Sequence, residues 1–299
     1  MANSSIILGQ APKGWSGAPA RAFGFLRRWP VFPIFVLSVL VLGAIFAPLV
    51  APHSPLKQSL RERQVGPMWT EGGSSKFILG TDHVGRDILS RIIHGSRISL
   101  MVAAVALASG ILIGSTLGLV AGWYGGIADE VVARIVDVWL ALPFLLVALV
   151  VVIIFGQSVI TMMGVLAMVS WSLFVRNIRA EVLTLKTRDY VALAKVSGAS
   201  TPRILVKHIL PGVLNTMVVI ATLNVGSLIL TEATLSFLGA GIPAPTPAWG
   251  LMISEGRDHL RTSWWITVMP GTAIFLVVMS LNFMGDWLRD RLDPRLRQI

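Results

Sequence analysis

Apolar residues in this chain run in long blocks, with no strict alternation and no single repeating face. Val31 to Val50 contains no charged residue, and further blocks cover Ile98 to Val120, Ile135 to Phe155, Val159 to Val175, Val213 to Leu235 and Trp265 to Met284. A helix needs roughly 20 predominantly apolar residues to cross about 30 Å of hydrocarbon, so the pattern predicts six transmembrane helices. The first block reads as a signal anchor, because about thirty residues precede it and no A-x-A site follows. The polar stretches set the expected boundaries. They are a flexible Gly-, Pro- and Ser-rich arm over 1–30, a first helix and long loop over 31–97, a helical core over 98–288 and a tail over 289–299. Asp87 to Ser99 reads as an amphipathic helix leading into the second span, and no internal repeat is visible.

Composition agrees with the blocks. Hydrophobic residues make up 54% and charged residues 13%, with a mean hydropathy of +0.75. Soluble domains carry about 25% charged residues, so an ordinary soluble enzyme and a disordered chain are both excluded. The 25 Lys and Arg against 15 Asp and Glu leave a formal charge of +10. Nucleic acid is not an expected partner, since stacking aromatics do not interleave with the basic residues. In a membrane protein the excess points to cytoplasmic segments. Lys13, Arg21, Arg27 and Arg28 precede the first span, seven basic residues lie between Arg176 and Lys207, and Arg289, Arg291, Arg295 and Arg297 follow the last. Both termini are therefore expected in the cytoplasm. The loop from Pro52 to Arg97 opposes this, with seven Lys and Arg on the side that parity makes external.

Three features carry candidate chemistry. Gly110, Gly114, Gly118 and Gly122 stand four residues apart, with Gly126 continuing the row. Such glycines share one helix face and let another backbone approach closely. The second feature lies over 176–212, too polar for lipid, with helical spacing interrupted at Gly198 and Pro202. Breaker logic predicts two short helices with small residues (Ala192, Ala194, Gly198, Ala199, Ser200) at their corner, either docking a partner or covering the bundle's end. The third is the set of ionisable residues in or near spans. Arg134 and Asp137 are expected to pair on one helix face. Glu232 either lines a vestibule, meeting a substrate ammonium, or caps the next loop or pairs with Arg257. The chain has no Cys, which excludes disulfides and thiolate chemistry. It has no phosphate loop of the G-x-x-x-x-G-K-[ST] type, no H-E-x-x-H, no G-x-S-x-G and no metal-spaced His cluster.

Tyr190-Val-Ala-Leu-Ala-Lys-Val-Ser-Gly198, followed by His208-Ile-Leu-Pro211, resembles the EAA loop of ABC importer permeases. Leu79-Gly-Thr-Asp-His-Val-Gly-Arg-Asp-Ile-Leu-Ser-Arg91, Glu232-Ala-Thr-Leu-Ser-Phe-Leu-Gly239 and Pro245-Thr-Pro-Ala-Trp-Gly250 sharpen this. Together they resemble the C-type permease subunit of dipeptide, oligopeptide and nickel ABC importers, over nearly the whole chain. Ala192 replaces the name-giving Glu, and His208 stands where Ile is common. The resemblance implies an all-α, six-span permease of the type I importer fold. It implies a heterodimer with a B-type permease, two cytoplasmic ATPase subunits and an extracytoplasmic binding protein that delivers peptide. Modified peptides or nickel chelates are the alternative cargo. No cofactor is expected in this chain, since ATP and Mg belong to the ATPase subunits. Tyr190, Ala192, Ala194, Lys195, Gly198, Ala199, Ser200, His208, Leu210 and Pro211 would then seat in an ATPase groove and act as a rigid lever.

The loop from Ser236 to Trp264 is broken by Pro243, Pro245 and Pro247, then carries a short amphipathic stretch. Trp249, Trp264 and Trp265 suit an aromatic belt at the lipid headgroups. The competing reading makes this loop an outer gate, with Glu232, Ser236, Phe237 and Trp249 along the pathway. Asp82, Arg86, Asp87 and Arg91 are expected either as docking charges for the binding protein or as ion pairs within their loop. An ion-coupled transporter is disfavoured, because mid-span acids are nearly absent.

Overall fold

In the computed structural model, residues 30–292 are described, and the chain is helical throughout, with only isolated bridges between extended segments. The expected arm before Pro30 and the tail from residue 293 lie outside the described residues. α1 (Val31–Ile45) and the short α2 (Ala47–Val50) lead to a long irregular loop. α3 (Ile88–Ser109) continues through a wide helical turn at Gly110–Gly114 into α4 (Ser115–Tyr124). α5 (Gly126–Ala141), α6 (Phe144–Phe155) and α7 (Val159–Leu185) follow. Next come α8 (Asp189–Val196), α9 (Thr201–Ile204), a second wide turn, and α10 (Leu210–Phe237). α11 (Trp249–Gly256) and α12 (Trp265–Leu292) complete the described chain.

Four of these helical runs are long and apolar enough to cross a membrane, namely 88–124, 159–185, 201–237 and 265–292. The α5–α6 pair makes a fifth when counted as one broken span, and α1 is apolar but only 15 residues long. One expected boundary shifts for a local reason. The block Ile135–Phe155 is not one helix, because α5 already starts at Gly126 and the chain bends by 82° before α6. Pro143 lacks an N–H and disfavours helical geometry in the residue before it, and Leu142 is accordingly extended at ψ 132°. The helix expected from Asp87 into the second span is present, and Asp87 caps α3 by accepting from Ser90 N at 2.9 Å.

The interior divides into two apolar clusters. The larger joins Val102, Ala106, Leu166, Leu228, Ile229, Trp249, Ile266 and Ile274, and so links α3, α7, α10, α11 and α12. The smaller gathers Ile178, Val182, Val191, Ile204, Ile209 and Val213 where α7, α8 and α10 meet. The ends of the bundle differ accordingly. One carries the 51–87 loop and α11 as a cap, and the other carries α8 and α9 as a hairpin.

The glycine row joins α4 to α7 of the same chain, running in the same direction. Gly110 lies against Ser170, Gly114 against Trp171 and Phe174, Gly118 against Val175 and Ile178, and Gly122 against Val182. A Cβ would stand 2.6 Å from Phe174 Cβ at Gly114 and 2.8 Å from Val182 Cβ at Gly122. The Ser170 hydroxyl donates across the seam to Ala106 O at 2.6 Å. Gly126 does not extend the row. It takes φ +54°, has no neighbour for a Cβ, and turns the chain into α5. Overpacking of this kind usually costs about 1–3 kcal/mol. Gly114→Leu should lower the unfolding temperature and folded yield in detergent. Gly164→Leu, on an open face of α7, should leave both near wild type.

Candidate functional site

The hairpin is built on one turn that demands glycine. Gly198 sits at φ +76°, and its N–H donates to Lys195 O while Ala199 N donates to Ala194 O, both at 3.0 Å. That is the Schellman closure of a helix, which strongly favours glycine at the left-handed position. Pro202 then stands in the first turn of α9, where its missing N–H leaves no helical bond unmade. Val191, Ile204 and Ile209 are buried, and Ala194, Ala199, Leu205 and Leu210 pack beside them. The opposite edge is open. Leu193 is 67% exposed and Val196 88%, with Tyr190 and Val206 also exposed. Ala192, Lys195, Gly198, Ser200 and Pro211 face outward as well, while His208 is half-buried with its ring centroid 6.5 Å from that of Tyr190. The structure thus brings the expected coupling residues into one small projection.

Its base is fastened by contacts that sequence reading did not predict, several of them to Trp123, Asp129, Arg179 and Lys186, which it did not single out. Lys195 Nζ lies 4.7 Å over the Trp123 ring, and Lys186 Nζ donates to Gly122 O at 2.9 Å. Arg179 of α7 forms a two-pronged pair with Asp129 of α5, through Nε and, at 2.6 Å, through Nη2. The expected Arg134–Asp137 pair is absent, because Asp137 instead accepts from Arg176 Nη2 of α7 at 2.9 Å.

At the cap end, Asp82, Arg86, Asp87 and Arg91 are all buried. Four solvent-facing docking charges are therefore not what the chain offers; Asp82 pairs with Arg86 and Arg91, while Asp87 accepts from Ser90 N and Oγ. Asp82 Oδ2 accepts from Arg86 Nε at 2.5 Å and from Arg91 Nη1 at 2.6 Å. Glu255 of α11 accepts from both arginines, at 2.9 and 2.8 Å. Burial alone would raise the Asp82 carboxyl, but Arg91, the Arg86 N–H and the Arg86 guanidinium outweigh it and hold it below the usual range. Glu255 lies 164 and 169 residues from its partners, too far for any local pattern to reveal it.

The aromatic-belt reading also changes. Trp249 is buried, lies against Gly95 and donates from Nε1 to Ile92 O at 2.9 Å. Trp265 donates to Thr81 O at 3.1 Å, and only Trp264 is exposed. Glu232 is buried too, accepting from Ser236 Oγ at 2.7 Å, while Arg257 turns to Asp258. Neither Glu232 nor Trp249 presents a pathway surface on this chain, whereas Phe237 is exposed beneath Arg257.

Removing one member of a buried ion cluster strands the others, typically at about 3–5 kcal/mol. Arg91→Ala should therefore lower the unfolding temperature sharply. Lys76→Ala breaks an exposed pair with Glu62 and should leave the unfolding temperature near wild type, because water screens such pairs. The Asp82 contribution should be complete above the ordinary Asp value of 3.8 and be lost as pH falls below it, because its folded pKa is depressed. Unfolding scans of Asp82→Asn and wild type across that range should converge at the acid end.

A family model described as binding-protein-dependent transport system inner membrane component matches residues 114–298. The chain is 42% identical over 264 residues to the di/tripeptide transport system permease protein of Pseudomonas aeruginosa, covering 88% of this chain and 87% of that one. It is 44% identical to the dipeptide transport system permease protein of Escherichia coli, over 89% and 88%. It is also 43% identical to the glutathione transport system permease protein of Pectobacterium atrosepticum, over 76% and 75%. Among solved structures, an inward-facing MetNI methionine ABC transporter chain superposes with a TM-score of 0.56 at 20% identity, covering 69% of this chain and 98% of that one. That likeness shows a shared fold. Family match and long apolar helices agree on a multi-pass membrane protein, and the chain belongs to the binding-protein-dependent transport system inner membrane components.

Proposed function

We propose that this chain is the C-type permease of an ATP-driven importer that carries dipeptides or short oligopeptides across the cytoplasmic membrane. It works as a heterodimer with a B-type permease. Two ATPase subunits, which hold ATP and Mg, engage the α8–α9 hairpin, and an external binding protein delivers cargo at the cap. The observation that carries this reading is the hairpin's exposed apolar edge, Leu193, Val196 and Val206, on a base that is buried and fastened. An exposed apolar projection on a rigid stem suits a groove in a soluble partner.

The hairpin also has the right connections for a lever. Only three residues separate α7 from α8, and α9 runs through a wide turn directly into α10. A push on α8 therefore reaches two long helices without passing through a flexible linker. The peptide cargo is supported by the relatives, which transport dipeptides or di- and tripeptides by name.

Sidedness follows the same logic. With both termini cytoplasmic, the hairpin and its basic residues face the ATPase subunits, as the positive-inside bias favours. The basic cap loop is the exception, and its geometry softens the conflict. Arg86 and Arg91 are committed to Asp82 and Glu255, and Lys76 pairs with Glu62.

Gly198→Arg removes the left-handed residue and places a long cation at the corner. The expected outcome is normal membrane yield with loss of both peptide uptake and cargo-stimulated ATP hydrolysis in the reconstituted complex; normal uptake would refute the lever. Reporter fusions at Gly66 and Ser200 should report external and cytoplasmic positions respectively.

A further inference from the structure

The α5–α6 elbow holds polar chemistry that neither the hairpin nor the cap uses. α6 has 12 residues and reaches only about 18 Å at roughly 1.5 Å per residue, so α5 and α6 must cross together. Their break at Leu142 and Pro143 is exposed on this chain. Trp139 O accepts from Leu142 N at 3.3 Å, but the other last carbonyls of α5 lose their helical partners at the break, and hydrocarbon does not tolerate such backbone unless protein or water covers it.

Charge lies at the same place. Asp137 and Arg176, 2.9 Å apart, have side chains 59% and 57% exposed. Arg134 is exposed one turn earlier on α5. Arg176 stands nine residues before the end of α7, about 14 Å along the helix from the hairpin, directly after the apolar block Val159–Val175. Trp139 and Trp171 join the same two helices, with ring centroids 6.3 Å apart. An exposed ion pair and a broken backbone at this depth are expensive against lipid but not against a water-filled passage.

We propose that the elbow faces the second permease and lines the passage, with Asp137 and Arg176 forming a polar threshold for a zwitterionic peptide. The peptide's ammonium takes Asp137 and its carboxylate takes Arg176, so one internal ion pair is exchanged for two charge-assisted ones. No charge is left unpaired during the exchange. The ligand class rests on the peptide reading above; the lining does not.

The test uses the complete reconstituted importer. This chain has no cysteine of its own, so Asp137→Cys, Arg176→Cys and Ile153→Cys each give a single thiol. A charged, membrane-impermeant thiol reagent should modify the first two and spare Ile153→Cys, which sits on the exposed apolar face of α6. Equal protection at all three positions would mean lipid at the elbow and overturn the lining. Labelled elbow thiols in a wild-type-like complex that moves no peptide would strike the cargo and leave the lining standing.

A second arm separates the threshold from a mere clamp between α5 and α7. Asp137→Asn and Arg176→Gln should each lower maximal dipeptide uptake about tenfold, with the KM for loaded binding protein unchanged. The swap of Asp137→Arg with Arg176→Asp restores a clamp but exchanges the charges presented to the passage. Unchanged uptake in the single variants, or full recovery in the swap, would overturn the threshold.

Discussion

The contact on which this molecule depends is the seam between α4 and α7, where four glycines admit a neighbouring backbone that no side chain would allow. In a bilayer, helices gain little from burying apolar surface against one another, since lipid is equally apolar. Close backbone approach supplies dispersion contacts instead. The seam ends at Gly122, whose carbonyl receives Lys186, one residue beyond α7. Trp123, the next residue, receives Lys195 of the hairpin. Helix packing and hairpin position are thus one arrangement, and a partner that moves the hairpin moves the seam.

The cap is held by a different force. Its core is a cluster of two arginines and two carboxylates, joined to buried tryptophans whose indole N–H groups reach backbone carbonyls. Such a cluster is worth little as net stability, but it is unforgiving of a missing partner. It ties the loop after α2 and the start of α3 to α11, and through α11 to α12. The cap is therefore part of the rigid frame, although its sequence has the composition of a flexible loop.

Between the two ends, α5 and α6 stand apart from the frame. Their polar links to it are the Asp129–Arg179 and Asp137–Arg176 pairs, and α5 leaves Ile127, Val131, Ile135 and Val138 exposed. α5 thus carries both its exposed charges, Glu130, Arg134 and Asp137, and exposed apolar residues on the surface that the rest of the chain leaves uncovered.

Much of this was legible in one dimension. Apolar blocks reveal spans because a helix in lipid must satisfy its own backbone, and Gly198 with Pro202 reveals the hairpin because breakers act locally. The four-residue glycine spacing shows a packing face for the same reason. The sequence did not show which helix fills that face, where Asp137 finds its partner, or that Asp82, Arg86 and Arg91 are buried around Glu255. Those depend on residues dozens to nearly two hundred positions apart meeting in space. Charge and spacing set what each segment is able to do alone; only the packed chain decides which side chains are shared inside it and which remain for a partner.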